Sequence, residues 1–327
     1  GFDSGMNQSG VDIGIGRDEN GDNNYADYYL AETVLIDGQQ LEPTSFGEFD
    51  EDSGIWKPID VSELTFGTNG FYLDYKDSAN LGNDANGGTD FTEGGLAAID
   101  QTTDTPTNNF ATYNSLISLQ SQTYSEGNLQ VATTSSGKSG GFSTIGASQG
   151  KWYAEFKVID SNNRTAIGIT SDPSELDRQN QYVGFGAYDY SYVAELGNKA
   201  NNNSESSYGN SYTQNDIIGV AVDLDNNKIY FSKNGTWQNS GDPTSGATGT
   251  GAAFTLTASS STPTGFYFFG AGDVASNQTG TIQANFGNAP FTISSGNTDG
   301  NDRGNFEFTV PSGYLSICTA NLSEVLG

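Results

Sequence analysis

Hydrophobic and polar residues alternate with period two along many short stretches of this chain, and no extended helical pattern runs through it. In residues 217–235, IIGVAVDLDNNKIYFSKNG, Ile218, Val220, Val222 and Leu224 alternate with smaller or polar residues. Asp225, Asn226 and Asn227 supply a turn, Ile229 and Phe231 resume the alternation, and Asn234-Gly235 supplies a second turn. Residues 151–158, KWYAEFKV, place Trp152, Ala154, Phe156 and Val158 on an inward face and Lys151, Tyr153, Glu155 and Lys157 on an outward one. Residues 28–38 and 67–75 predict strands nearer the front, the first apolar on both faces. Residues 165–169, 265–270, 283–286, 305–310 and 313–319 predict more behind them. Helix is predicted only as single turns, one around Pro43-Thr44-Ser45 and one over residues 172–177 with Pro173 at its first position. The pattern predicts an all-β chain: two tandem antiparallel β-sandwiches with negligible helix.

Composition sharpens this picture. The 327 residues include 43 Gly and only 8 Pro, with aromatic side chains at 12%. Regularly spaced large apolar residues argue for folded cores and against disorder. Residues 101–116 are polar, contain Pro106 and lack periodicity, which predicts a linker between a unit at 1–100 and a unit at 117–322, with 323–327 as a tail. The single cysteine, Cys318, excludes an intrachain disulfide and reads as a small buried strand residue. No apolar run approaches the roughly 20 residues of a spanning helix, and no signal-peptide pattern is visible, so membrane insertion is not expected. The chain begins on Gly1, which predicts a processed, excised or partial sequence.

The formal net charge of −28 disfavours nucleic acid and anionic membranes as partners. Residues 1–115 carry 22 acidic and 3 basic residues, and no histidine occurs anywhere. Serine–histidine, cysteine–histidine and histidine-based zinc chemistry therefore has no candidate residues, and no enzymatic activity is expected. Glu48, Asp50 and Asp52 alternate, but Ser53 stands where the carboxylate strand of sandwich-fold glycosidases carries its second glutamate, so a solvated acidic loop is expected. Asp18, Asn20 and Asp22 stand two apart and would supply three of the oxygens that Ca²⁺ needs, with a solvated hairpin loop as the alternative; no other cofactor is expected. Tyr188, Tyr190 and Tyr192 share one face of an extended segment, and Asn201, Tyr208 and Tyr212 follow in a polar loop. Exposed rings beside amides suit sugar binding, while packing against a sheet edge or another subunit is the alternative. Trp152 is expected in the core and Trp56 as a cap on the first unit, whereas Trp237 suits core or surface equally.

Three stretches, KWYAEFKV at 151–158, IGVAVDLDNNKIYFSKNGTW at 218–237 and ANFGNAPF at 284–291, resemble SPRY domains, β-sandwiches used for binding. Residues 29–58 and 67–75 resemble the last part of a laminin-G-like, concanavalin A-type sandwich, and residues 103–116 are similar to the connector seen between such domains. Together the two units resemble tail-fibre or virion structural proteins of tailed, marine bacteriophages. That resemblance implies a virion-surface protein recognising a host-surface glycan or receptor, touching other virion proteins and self-associating, with a homotrimer expected. A virion spacer, decoration or connector is the alternative it leaves. It supplies no catalytic residues. The front unit lacks the early strands of the sandwich it resembles, so an upstream segment or another subunit is expected to complete it.

Overall fold

Strand alternation organises the chain into two separately packed units, residues 1–101 and 102–327. The computed structural model describes residues 13–17, 25–26, 30–49, 56–105, 108–117, 122–134, 138–161, 164–173, 181–274 and 279–326. Strand outweighs helix, as the alternation predicts, although residues 305–310 carry an isolated bridge at Phe306 and no strand.

In the first unit, β1 (Thr33–Leu35) pairs antiparallel with β4 (Phe71–Leu73), and β2 (Gly47–Phe49) with β3 (Trp56–Pro58). Val61, Phe66 and Tyr72 form a small core against Val34, Ile36, Phe46 and Leu64. The predicted turn around Pro43 is a short 3-10 helix, Pro43–Ser45. Glu48 lies on a strand rather than in a loop, and its carboxylate pairs with Lys57 at 3.4 Å. Asp50 and Asp52 lie outside the described residues, as do Asp18, Asn20 and Asp22.

The second unit is built on two large sheets. The first runs, edge to edge, β12 (Ser204–Ser207), β11 (Asn198–Asn201), β10 (Asp189–Val193), β9 (Thr165–Thr170), β17 (Tyr267–Asp273) and β7 (Gly140–Ala147). The second runs β15 (Thr236–Trp237), β14 (Lys228–Lys233), β13 (Ile217–Asp223), β8 (Lys151–Ser161), β18 (Gly280–Asn285), β6 (Gln130–Ala132) and β5 (Thr123–Ser125). Beside that path, β16 (Phe254–Thr255) pairs with β14, and β19 (Leu315–Ser316) runs parallel to β8. The main core gathers side chains from both sheets: Trp152, Phe156, Val220 and Phe231 from the second, Ile167, Tyr192 and Phe269 from the first. Both predicted turns close their hairpin. Asp223 pairs with Lys228 across the first, where Asn227 adopts φ 55°, and Asn234 and Gly235 adopt φ 47° and 77° in the second.

Three expectations are corrected here. Residues 101–116 are not a free linker, because Phe110, Ala111 and Tyr113 are buried and Ala111 N donates to Ile317 O at 3.0 Å. The tail is helical: α1 (Thr319–Leu326) closes the unit, and Gln149 Nε2 donates to Val325 O at 2.8 Å. Tyr153 and Glu155, expected outward, are as buried as their inward neighbours. A second, smaller core of Tyr153, Ala221, Tyr230, Phe306, Val310 and Tyr314 covers that face of the sheet.

A buried carboxylate ties the loop before β19 to α1. Asp299 accepts from Ser316 N, Ser316 Oγ and Asn321 Nδ2 through Oδ2, and from Asn301 N and Arg303 N through Oδ1. Burial opposes its ionisation, but the bonds from Ser316, Arg303 and Asn301 prevail and hold the carboxyl below its ordinary 3.8. A depressed carboxylate stabilises the fold above its unfolded pKa, and that contribution disappears as pH falls through the folded value. Asp299→Asn is therefore expected to lose about 1–3 kcal/mol at pH 7. The gap to wild type should narrow below pH 3.8, as measured by denaturant unfolding at pH 7 and pH 3.

Candidate functional site

Tyr190 and Tyr192 do share a face, but it is the core face of β10. Tyr192 stacks on Phe231 with ring centroids 5.6 Å apart, and its hydroxyl donates to Asn210 O. Tyr190 accepts from Thr257 N at 3.1 Å, and Tyr212, also buried, donates to Tyr192 O at 2.8 Å. Tyr208 is half-buried, its ring 6.0 Å from that of Phe231. Tyr188 precedes β10 and is half-buried. Asn201 Nδ2 donates to Ala187 O and Asp189 O, so its amide anchors a backbone turn. The exposed ridge expected from the alternation is therefore absent. Period two puts these rings on one side of the strand but does not say which side meets the other sheet.

A different surface is concave and chemically varied. Across the outward face of the second sheet, register aligns Asn285, Glu155, Gly219, Ser232 and Trp237 in one row. Gly219 at the middle of that row leaves a notch. A Cβ there would meet Ser232 Oγ at 2.4 Å and Tyr153 Oη at 2.8 Å. Tyr153 packs edge-on to Trp237, with centroids 6.5 Å apart.

Residues 305–312 cross this face as a strap, and Glu155 pins it. Its carboxylate accepts from Glu307 N at 2.9 Å, Phe308 N at 2.8 Å, Tyr153 Oη at 3.0 Å and Asn285 Nδ2 at 3.3 Å. Burial pushes the Glu155 carboxyl up to about 7, against the downward pull of those four donors. On the opposite side, Asp242 accepts from Thr244 Oγ1 at 2.6 Å and Thr244 N at 2.9 Å, starting the 3-10 turn Pro243–Thr248. Those two bonds hold the exposed Asp242 carboxyl below its ordinary range.

Between strap and turn lies a groove of about 460 Å³. Tyr153 and Ser232 line it from the sheet, with Trp237 and Phe308 from the two sides and Asp242 from the turn. Ser232 Oγ is buried, its residue 1% exposed, and has no hydrogen-bond partner among the described residues. A buried hydroxyl normally finds a partner, and this one belongs to a residue of the groove floor while its oxygen is closed off from solvent. None of these residues was singled out for binding by sequence alone, beyond Trp237 being left open. The legible signals were Gly219 inside an apolar strand and Trp237 just past the Asn234-Gly235 turn.

Residues 151–271 match the family model of the SPRY domain. That segment thus resembles a SPRY domain. It runs from β8 to β17 and contributes Tyr153, Ser232, Trp237 and Asp242 to the groove, while Phe308 and the rest of the strap lie beyond the match. The chain is 33% identical over 93 residues to the ATP-dependent RNA helicase DDX1 of Xenopus laevis, covering 28% of this chain and 12% of that protein. It is 29% identical over 92 residues to the Ran-binding proteins 9/10 homolog of Drosophila melanogaster, covering 28% and 10%. The chain thus spans about an eighth or less of these relatives. The solved SPRY domain of human HERC1 is similar over 50% of this chain and 92% of its own, at 19% identity and a TM-score of 0.39.

These matches overturn the expectation of a phage tail fibre recognising host glycans, and of a virion spacer. The relatives named above from curated proteins are eukaryotic, and nothing found indicates a phage origin or a laminin-G domain. The stretches at 151–158 and 218–237 carried a sound family resemblance. The wider association with virion proteins rested on the pairing with the front unit. Among the described residues, no cluster of three acidic, histidine or cysteine side chains is arranged to hold a metal.

Proposed function

We propose that this chain is a non-catalytic protein-binding module and that the groove over Ser232 is where its partner docks. The SPRY match supports a binding role, and the Ran-binding name of one relative points to a protein as the class of partner. One observation carries the choice of surface: an aromatic-sided groove with a floor residue, Ser232, whose buried hydroxyl has no partner among the described residues. The aromatic and apolar sides offer the desolvated contacts on which interface energy concentrates.

The test is to pan a displayed random-peptide library on the wild-type protein and measure the selected peptides by calorimetry. Trp237→Ala, which removes one side of the groove, and Ser312→Trp, which fills it from an exposed rim position, are each expected to weaken binding about tenfold or more. Thermal midpoints of the two variants control for folding. Peptides that bind both variants as tightly as wild type would place the docking surface elsewhere.

A further inference from the structure

We infer that the groove takes a lysine or arginine side chain presented by the protein partner, its cationic head on the Asp242 carboxylate and its methylene stem along Trp237 and Phe308. This deepens the proposed docking role and rests on it.

Charge is the first observation. Asp242 is the one charged side chain lining the groove among the described residues. Both Thr244 donors go to Asp242 Oδ1, which leaves Oδ2 for an incoming donor. The nearby lysines are already engaged. Lys233 bridges Asp216 at 3.0 Å and donates to Ser211 O, and Lys151 pairs with Asp223 at 3.3 Å. Lys228, beside the end of the 3-10 turn, donates to Thr255 Oγ1 at 2.7 Å, so among the described residues these lysines are held by other partners than Asp242. The net charge of −28 draws basic partners at long range and repels acidic ones.

Ring geometry is the second. Trp237 and Phe308 are both half-buried, so each keeps part of its ring accessible beside the groove. Phe308 is seated against Gly235, where a Cβ would meet its Cδ1 at 2.6 Å, and its own N–H is fixed by Glu155. Aromatic faces held beside a carboxylate suit an alkylammonium or guanidinium group, whose stem is apolar and whose head is charged. Ser232 Oγ is the third. It is closed off from solvent here, and a rotation that uncovers it would let it donate to or accept from the backbone of the segment that carries the cation. A neutral apolar ligand would leave Asp242 and Ser232 unused, and an acidic one would face Asp242 directly.

The experiment uses the peptides selected on wild-type protein that lose binding to Trp237→Ala. Each is resynthesised with its lysine or arginine replaced by norleucine, and both forms are titrated against wild type and Asp242→Asn. Asparagine retains an Oδ1 acceptor for Thr244, so the turn is preserved. A shared lysine or arginine position is expected among the peptides. Either the norleucine exchange or Asp242→Asn should weaken binding about tenfold, with little further loss when combined, and added salt should weaken the parent peptide. Groove-dependent peptides without a cation, or unchanged affinity for Asp242→Asn, would overturn the inference while leaving the docking site intact. Failure of the wild type to retain any peptide would overturn both.

Discussion

Glu155→Ala is expected to lower the thermal midpoint of the second unit by roughly 6–12 °C, corresponding to about 3 kcal/mol. The side chain is fully buried, and its removal strands four donors: Glu307 N, Phe308 N, Tyr153 Oη and Asn285 Nδ2. It also opens a void beneath the strap. Glu155→Gln should cost less, since one acceptor oxygen remains. The pH dependence separates the charge from the packing. Burial raises the folded pKa from 4.5 to about 7, so the folded state holds the proton more tightly than the unfolded one. The resulting stabilisation is complete below pH 4.5 and is lost as pH rises to about 7. Wild type should accordingly lose up to about 3 kcal/mol relative to Glu155→Gln across that interval. Denaturant midpoints at pH 4.5, 5.5 and 7 measure it, and parallel curves for the two proteins would show that the carboxylate stays ionised throughout. Because Glu155 fixes Phe308, Glu155→Gln should also weaken peptide binding at the groove more than its stability loss alone explains.

Tyr192→Ala should be comparably severe, at about 3–5 kcal/mol. Tyr192 is fully buried, stacks on Phe231 and touches the rings of Tyr208 and Tyr212. The loss should appear as a lowered denaturant midpoint with an unchanged slope. Tyr192→Phe keeps the ring and removes only the donor to Asn210 O, for about 1 kcal/mol. A surface ridge would give the opposite result, with Tyr192→Ala nearly silent in stability.

That contrast shows what was legible in the chain. Alternation at Lys151–Val158 and across Ile218–Phe231 identified strands, and the Asn227 and Asn234-Gly235 turns located the hairpins, because both are local properties. The same alternation could not say what covers each face. Alternation places Glu155 on the outward face with Tyr153, yet a strap more than 150 residues later buries it and supplies two of its donors. The groove depends on that same long-range crossing, so its residues gave no joint signal in sequence. Residues 101–116 were misread for a related reason. Threonine and asparagine dominate the stretch and hide Phe110, Ala111 and Tyr113, whose partners lie near Ser143 and Ile317.

The pairing of that stretch with the segment before α1 has a mechanical consequence. Ala111 N donates to Ile317 O, Thr319 N to Asn109 O, and Phe110 bridges Cys318 in antiparallel register. The path into the unit and the path out of it therefore lie side by side. Tension applied between them would unzip these bonds one after another instead of shearing many at once, so the outermost layer would peel at low force while the two large sheets stayed closed.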